Sequence, residues 1–137
     1  MHQESVVHRD IKLDNILLDG HGAIKIGDFG VSTRLAKPNE ILFEQCGTPA
    51  YIAPEICFEM GYKGSPVDVW SAGICLYAML YGNVPFKASN LSDLSREMYE
   101  NELEFKEPAS ESVRDLLTKI LTIDPKKRLT AFQALQH

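Results

Sequence analysis

Apolar side chains recur at Val113, Leu116, Leu117, Ile120 and Leu121. That i, i+3, i+4, i+7, i+8 spacing predicts a helix with one apolar face, opened by Ser110 and stopped before Asp124-Pro125. A second stripe, Leu91, Leu94 and Met98, follows Asn90-x-x-Asp93 and predicts another amphipathic helix capped by Asn90. Thr130-x-x-Gln133 has the form of a capping box and opens a last short helix. Val67 to Tyr81 differs from these three, because its apolar residues surround the axis. The helix it predicts must be buried on all sides and form the central pillar of the core. Ser65-Pro66-x-Asp68 supplies an N-cap, a Pro at the first helical position and an acidic third residue, and Gly82 can close the far end.

Upstream the period changes. Ile16-Leu17-Leu18, the turn residues Asp19-Gly20-His21-Gly22, and Ala23-Ile24-Lys25-Ile26 predict two short strands of one hairpin. Residues 27–64 keep no period and hold Gly27, Gly30, Pro38, Gly47, Pro49, Pro54, Gly61 and Gly64, so mostly irregular loop is predicted there. A loop of that length in a compact domain is usually functional. The pattern therefore predicts a mainly α chain: one small β-hairpin, one long loop and about four helices, with no internal repeat.

Length and composition narrow the function classes. A chain of 137 residues has room for one domain at most, and 45% hydrophobic residues are enough for a real core. Fourteen Lys and Arg against nineteen Asp and Glu leave a net charge of −5, which argues against a nucleic-acid partner. Cys46, Cys57 and Cys75 form no C-x-x-C pair and are odd in number, so neither a disulfide framework nor a zinc site is suggested, and a reducing, cytoplasmic or nuclear compartment fits. No apolar stretch is long enough to span a bilayer, and residues 1–4 carry no signal-peptide pattern, so no membrane association is expected. Nothing indicates an oligomeric state.

The chemistry-bearing residues form an ordered set. His8-Arg9-Asp10-Ile11-Lys12-Leu13-Asp14-Asn15 precedes the hairpin, Asp28-Phe29-Gly30 follows it, Ala53-Pro54-Glu55 ends the loop, and Asp68-Val69-Trp70-Ser71-x-Gly73 and Arg128 come after. This order and spacing resembles the signature of eukaryotic serine/threonine protein kinases over essentially the whole chain. The implied fold is a protein-kinase-like C-terminal lobe with the N-terminal lobe absent, residues 1–137 being a partial kinase domain from the catalytic loop to near the last helix. No G-x-G-x-x-G loop, V-A-I-K lysine or partner glutamate is present to grip ATP from above. Met1 falls where the family is inside a helix, so an internal methionine is expected there, and the chain is expected to break off inside its last helix.

The resemblance assigns roles. Asp10 would take or orient the proton of the substrate hydroxyl, and Lys12 would place positive charge on the transferring phosphoryl group. Asn15 and Asp28 would hold Mg²⁺, and Lys12, Asn15 and Asp28 would contact ATP. Lys12 together with Gly47-Thr48-Pro49-Ala50-Tyr51 is similar to kinases acting on protein serine and threonine, and Thr48 would hydrogen-bond Asp10 and Lys12. His8 would pack beneath the loop against the Phe29 region, while Asp14 and Asp19 face solvent. Asp68 would accept the backbone N–H groups of His8 and Arg9, and Glu55 and Arg128 would form a buried ion pair.

Three departures and one subgroup likeness follow. Glu44 occupies the position, two residues before Cys46-Gly47-Thr48, where many relatives carry a phosphorylated residue, so a permanent charge for Arg9 is expected. The run Tyr77-Ala78-Met79 lacks the glutamate that selects basic substrates in related enzymes. Without an upper lobe, the isolated chain is expected to be inactive and to expose apolar surface; the alternative is a non-catalytic truncated lobe acting as a binding module. Tyr51-Ile-Ala-Pro-Glu and Gly61-Tyr62-Lys63-Gly64 are similar to calcium/calmodulin-dependent or energy-sensing kinases.

Overall fold

The computed structural model describes residues 1–58, 60–105 and 109–137. A 3₁₀ turn at His2–Glu4 leads into strand β1 (Val6–Val7), and a second turn at Leu13–Asn15 leads into the hairpin of β2 (Ile16–Leu18) and β3 (Ile24–Ile26). The long loop holds β4 (Thr33–Arg34), β5 (Ile41–Leu42), two 3₁₀ turns at Pro49–Tyr51 and Pro54–Cys57, and β6 (Tyr62–Lys63). Helices α1 (Gly64–Tyr81), α2 (Leu91–Glu100), α3 (Glu111–Ile120) and α4 (Ala131–Leu135) complete the mainly α lobe.

The hairpin pairs Ile16 with Ile26, Leu17 with Lys25 and Leu18 with Ile24. Asp19 does not simply face solvent as expected: its Oδ1 accepts the N–H groups of His21 and Ala23, each at 2.9 Å, and so closes the turn. Asp14 is exposed, as the sequence predicts. Both ends of the long loop are tethered where the sequence predicts mostly irregular chain. β4 pairs with β1, and β5 pairs with β6, in antiparallel ladders of two residues each. Ladders this short leave no alternation to read.

α1 is the pillar. Trp70 and Ile74 are fully buried, packing in one core with Val7, Ile52, Phe86, Leu94, Met98 and Leu117. Its start differs from the prediction: the helix opens at Gly64, with Lys63 as N-cap and no side-chain cap. A Cβ at position 64 would collide with the Val7 side chain, so this glycine lets the helix start cross β1. Pro66 is tolerated as the third helical residue because first-turn amides have no partner within the helix. Gly82, at φ 70°, closes the far end by donating its N–H to Ala78 O.

Burial of α1 is not all round, which corrects the reading from its composition. Ala72, Met79 and Leu80 form a stripe at i, i+7 and i+8 that stays exposed, Met79 at 61% and Leu80 at 47%, since no described element packs there. Leu18 and Ile24 of the hairpin are likewise 71% and 67% exposed. The exposed apolar surface expected from the sequence is therefore present, on the hairpin and along one side of the pillar.

The other helices follow their caps. Asn90 Oδ1 accepts from Asp93 N–H at 2.9 Å, and Ser110 Oγ from Val113 N–H at 3.4 Å. The Thr130 capping box is complete, with Gln133 N–H donating to Thr130 Oγ1 and Thr130 N–H to Gln133 Oε1.

Candidate active site

The turn His8-Arg9-Asp10 leaves β1 in a conformation that the chain alone would avoid, with Arg9 at φ 67°. The buried Asp68 carboxylate on α1 holds it there. Its Oδ2 accepts His8 N–H at 2.9 Å and its Oδ1 accepts Arg9 N–H at 2.8 Å. His2, a residue with no sequence signal, adds a third donor through Nε2 at 2.8 Å. His8 is fully buried and uses both ring nitrogens: Nδ1 accepts from Asp10 N–H at 3.2 Å, so Nε2 carries the proton and donates to Gly27 O at 2.9 Å. Its ring meets Phe29 edge-on, centroids 4.8 Å apart, which is the supporting position expected for it.

Asp10, Lys12 and Thr48 form a closed triangle. The Thr48 N–H and hydroxyl donate to Asp10 Oδ1 at 2.9 and 2.8 Å. Lys12 Nζ donates to Thr48 Oγ1 at 2.9 Å and lies 3.1 Å from Asp10 Oδ2. Burial disfavours the Asp10 charge, but the Thr48 and Lys12 hydrogen bonds and the Lys12 charge outweigh it and hold the carboxyl below its ordinary range. The bond to Asp10 correspondingly pushes the Lys12 ammonium up against its modest desolvation, helped by the charges of Asp14 and Asp28. The loop reaches this close because Gly47 sits at φ 106°, where a Cβ would lie 2.7 Å from Arg9 O.

The hairpin brings the remaining two residues alongside. Asn15 is buried and donates Nδ2–H to Asp10 O at 2.9 Å. Gly27 N–H donates to Asn15 O at 2.8 Å, so the returning strand delivers Asp28 next to Asn15. Asp28 is exposed, at φ 55°, with Oδ1 accepting Gly30 N–H at 3.1 Å. One amide oxygen and one carboxylate are hard donors. Two such ligands would suit Mg²⁺, a hard cation that takes oxygen donors. Among the described residues no group of three His, Cys, Asp or Glu side chains could hold a metal without such help.

Two ion pairs frame the site. Arg128 donates Nη1–H and Nη2–H to the two Glu55 oxygens at 2.7 and 2.8 Å, with the Arg128 side chain fully buried. Arg9 donates Nη1–H to Glu44 Oε2 at 2.9 Å, bringing together the two residues that the sequence pairs. A cavity of about 710 Å³ lies away from this centre, between the end of α1, the 83–87 loop and the end of α2, and none of the catalytic-loop residues lines it. The three cysteines are free. No helix among the described residues is long and apolar enough to cross a membrane.

Comparison with known proteins places this geometry. The family profile described as the protein kinase domain matches residues 1–137. The chain is 42% identical over 134 residues to CBL-interacting serine/threonine-protein kinase 5 of Arabidopsis thaliana, covering 94% of this chain and 29% of that protein. It is 42% identical over 137 residues to the probable serine/threonine-protein kinase HSL1 of Saccharomyces cerevisiae, covering 99% and 9%. It is 42% identical over 147 residues to the human phosphorylase b kinase gamma catalytic chain, liver/testis isoform, covering 100% and 36%. The chain thus spans about a third or less of the length of these curated relatives. With the catalytic-loop motif, the Asp28-Phe29-Gly30 turn and the Glu55–Arg128 pair all in one lobe, the chain belongs to the protein kinase family.

Proposed function

We propose that this chain carries the catalytic centre of a serine/threonine protein kinase, moving the γ-phosphate of ATP to a protein hydroxyl. The Asp10–Lys12–Thr48 triangle beside Asn15 and Asp28 supports this reading best. Asp10, held ionised by Thr48 and Lys12, has Oδ2 available to accept or orient the hydroxyl proton. Lys12 can offer its charge to the phosphoryl oxygens while bound to Thr48. Asn15 and Asp28 are the residues that would hold Mg²⁺, which when bound neutralises charge on the phosphates. The Ser/Thr assignment rests on Lys12 with Thr48 and on the named activity of two of the relatives.

The test is transfer of radiolabel from γ-labelled ATP to protein by the full-length protein, with acid hydrolysis of the product. Label on phosphoserine or phosphothreonine is the expected result, and no label, or label on phosphotyrosine, overturns the reading. The 137 residues alone are expected to transfer little or nothing, because they hold neither a G-x-G-x-x-G loop nor a V-A-I-K lysine to grip ATP.

A second reading is favoured by the exposed apolar stripe on α1 and the exposed hairpin, which suit a lobe that binds other proteins without catalysis. A native immunoblot separates the two. A band near the chain's own 15.4 kDa favours the binding lobe, and one at least about twice that size favours the kinase.

The Arg9–Glu44 contact supports a regulatory reading, in which Glu44 gives Arg9 a permanent negative partner in place of a phosphate. Glu44 is 71% exposed, so the pair is worth only about 0.2–1 kcal/mol. Glu44→Ala in the full-length enzyme is therefore expected to lower kcat about two- to fivefold, and an unchanged rate removes the reading.

A further inference from the structure

We propose that Tyr62 is a positioning residue whose hydroxyl holds the backbone at Glu44 so that the Glu44 carboxylate meets the Arg9 guanidinium. This rests on the regulatory reading of Glu44 given above. The need for such a residue follows from exposure. Arg9 is fixed, with its side chain 8% exposed and its Nε–H donating to Val31 O at 2.6 Å. Glu44 is not: a carboxylate 71% exposed on a flexible side chain is screened by solvent and salt, and charge attraction alone holds it weakly.

The backbone supplies what the charge does not. Tyr62 is 4% exposed, and its hydroxyl donates to Glu44 O at 2.7 Å. Burial pushes its phenol up to about 12, so the donor stays protonated at any physiological pH. The β5–β6 ladder sets Leu42 opposite Tyr62, two residues before Glu44, which fixes where the chain reaches Arg9. Gly61 permits the approach: at φ 82°, a Cβ there would sit 2.5 Å from Ile41 Cγ2 and 2.8 Å from Phe43 Cε1. Burial works to lower the Arg9 pKa, but the neighbouring Tyr62 phenol, with Cys46 and Glu44, raises it on balance. One buried hydroxyl therefore holds the backbone of one partner and lies near the charge of the other.

The experiment compares the full-length protein with Tyr62→Phe, Glu44→Ala and the double variant. Phenylalanine keeps the ring in the core and removes only the donor, and circular dichroism confirms that the fold is kept. The Arg9 guanidinium Nη protons, followed by nitrogen-15 NMR, and kcat are both read. Tyr62→Phe is expected to speed exchange of the Nη protons and lower kcat, each about two- to fivefold, with the double variant no worse than Glu44→Ala. Replacement of Tyr62 by 4-aminophenylalanine, which keeps an N–H donor at the same place, is expected to restore both.

A folded Tyr62→Phe protein with wild-type exchange and rate, beside a Glu44→Ala protein that loses both, overturns the role of Tyr62 and leaves that of Glu44 standing. If Glu44→Ala changes Nη exchange but not the rate, the regulatory reading of Glu44 falls. Exchange in Tyr62→Phe then decides by itself whether the hydroxyl positions the pair.

Discussion

Asp10→Asn is expected to lower kcat of the full-length protein about 10²- to 10⁴-fold while leaving the protein folded and its apparent KM for ATP nearly unchanged. The geometry explains why the effect is confined to chemistry. An asparagine amide oxygen can still accept both Thr48 donors, which meet Asp10 on Oδ1 at 2.9 and 2.8 Å. The other side of the group changes character, since an NH₂ would face Lys12 Nζ, now 3.1 Å from Oδ2. That replaces an acceptor and a charge by a donor against a donor, and it removes the Oδ2 lone pairs proposed to take the substrate proton. Steady-state kinetics of the purified variant checks this. A kcat within tenfold of wild type would mean that Asp10 does not act as base.

Arg128→Ala is expected to cost about 3–5 kcal/mol of folding free energy, measured by urea unfolding, which for a lobe of this size comes close to losing the fold. The bidentate bond to Glu55 is only part of the loss. The guanidinium also donates to Pro66 O at 2.9 Å, Thr122 O at 3.0 Å and Ile123 O at 3.2 Å, and it lies over the Trp70 ring at 5.0 Å. Truncation strands a nearly buried carboxylate and three carbonyls together, and it leaves a void against the largest side chain of the core. Lysine at 128 keeps the charge but not the planar fork, so Arg128→Lys should recover less than half of the loss. A cost below about 1 kcal/mol for Arg128→Ala would show that the pair is not a structural tie.

Much of this lobe is legible in the residues themselves, where the physics is local. The caps at Asn90, Ser110 and Thr130, the stripes of α2 and α3 and the Asp19–Gly22 hairpin turn depend on neighbours within about four positions, and all form as read. Failures occur where a distant neighbour overrides the local signal. Ser65 looks like a cap, yet Gly64 starts the helix because Val7, 57 positions earlier, needs the space. The residues of α1 read as buried all round, but exposure depends on what lies beside Ala72, Met79 and Leu80, which no property of those residues reveals. Asp19 reads as a solvated charge because its bonds to His21 and Ala23 exist only once the turn has formed.

The candidate site divides in the same way. Asp10, Lys12, Asn15, Asp28, Thr48 and the Glu55–Arg128 pair are visible as residue types at fixed spacing, and the structure brings them together. His2 and Tyr62 are not visible. A histidine 66 positions before Asp68 and a tyrosine 18 positions after Glu44 carry no pattern, and only folding gives their polar atoms those partners. The sequence alone thus determined the helices, the caps of α2 to α4, the hairpin, the kinase family resemblance and the set of candidate site residues, because each rests on short-range preference or on an ordered motif. Tertiary structure alone decided that His2 joins the donors to Asp68, that the Tyr62 hydroxyl meets the Glu44 carbonyl and which side of α1 stays uncovered. Those outcomes depend on hydrogen bonds of about 3 Å between residues far apart in the chain, a precision that side-chain chemistry permits but does not specify.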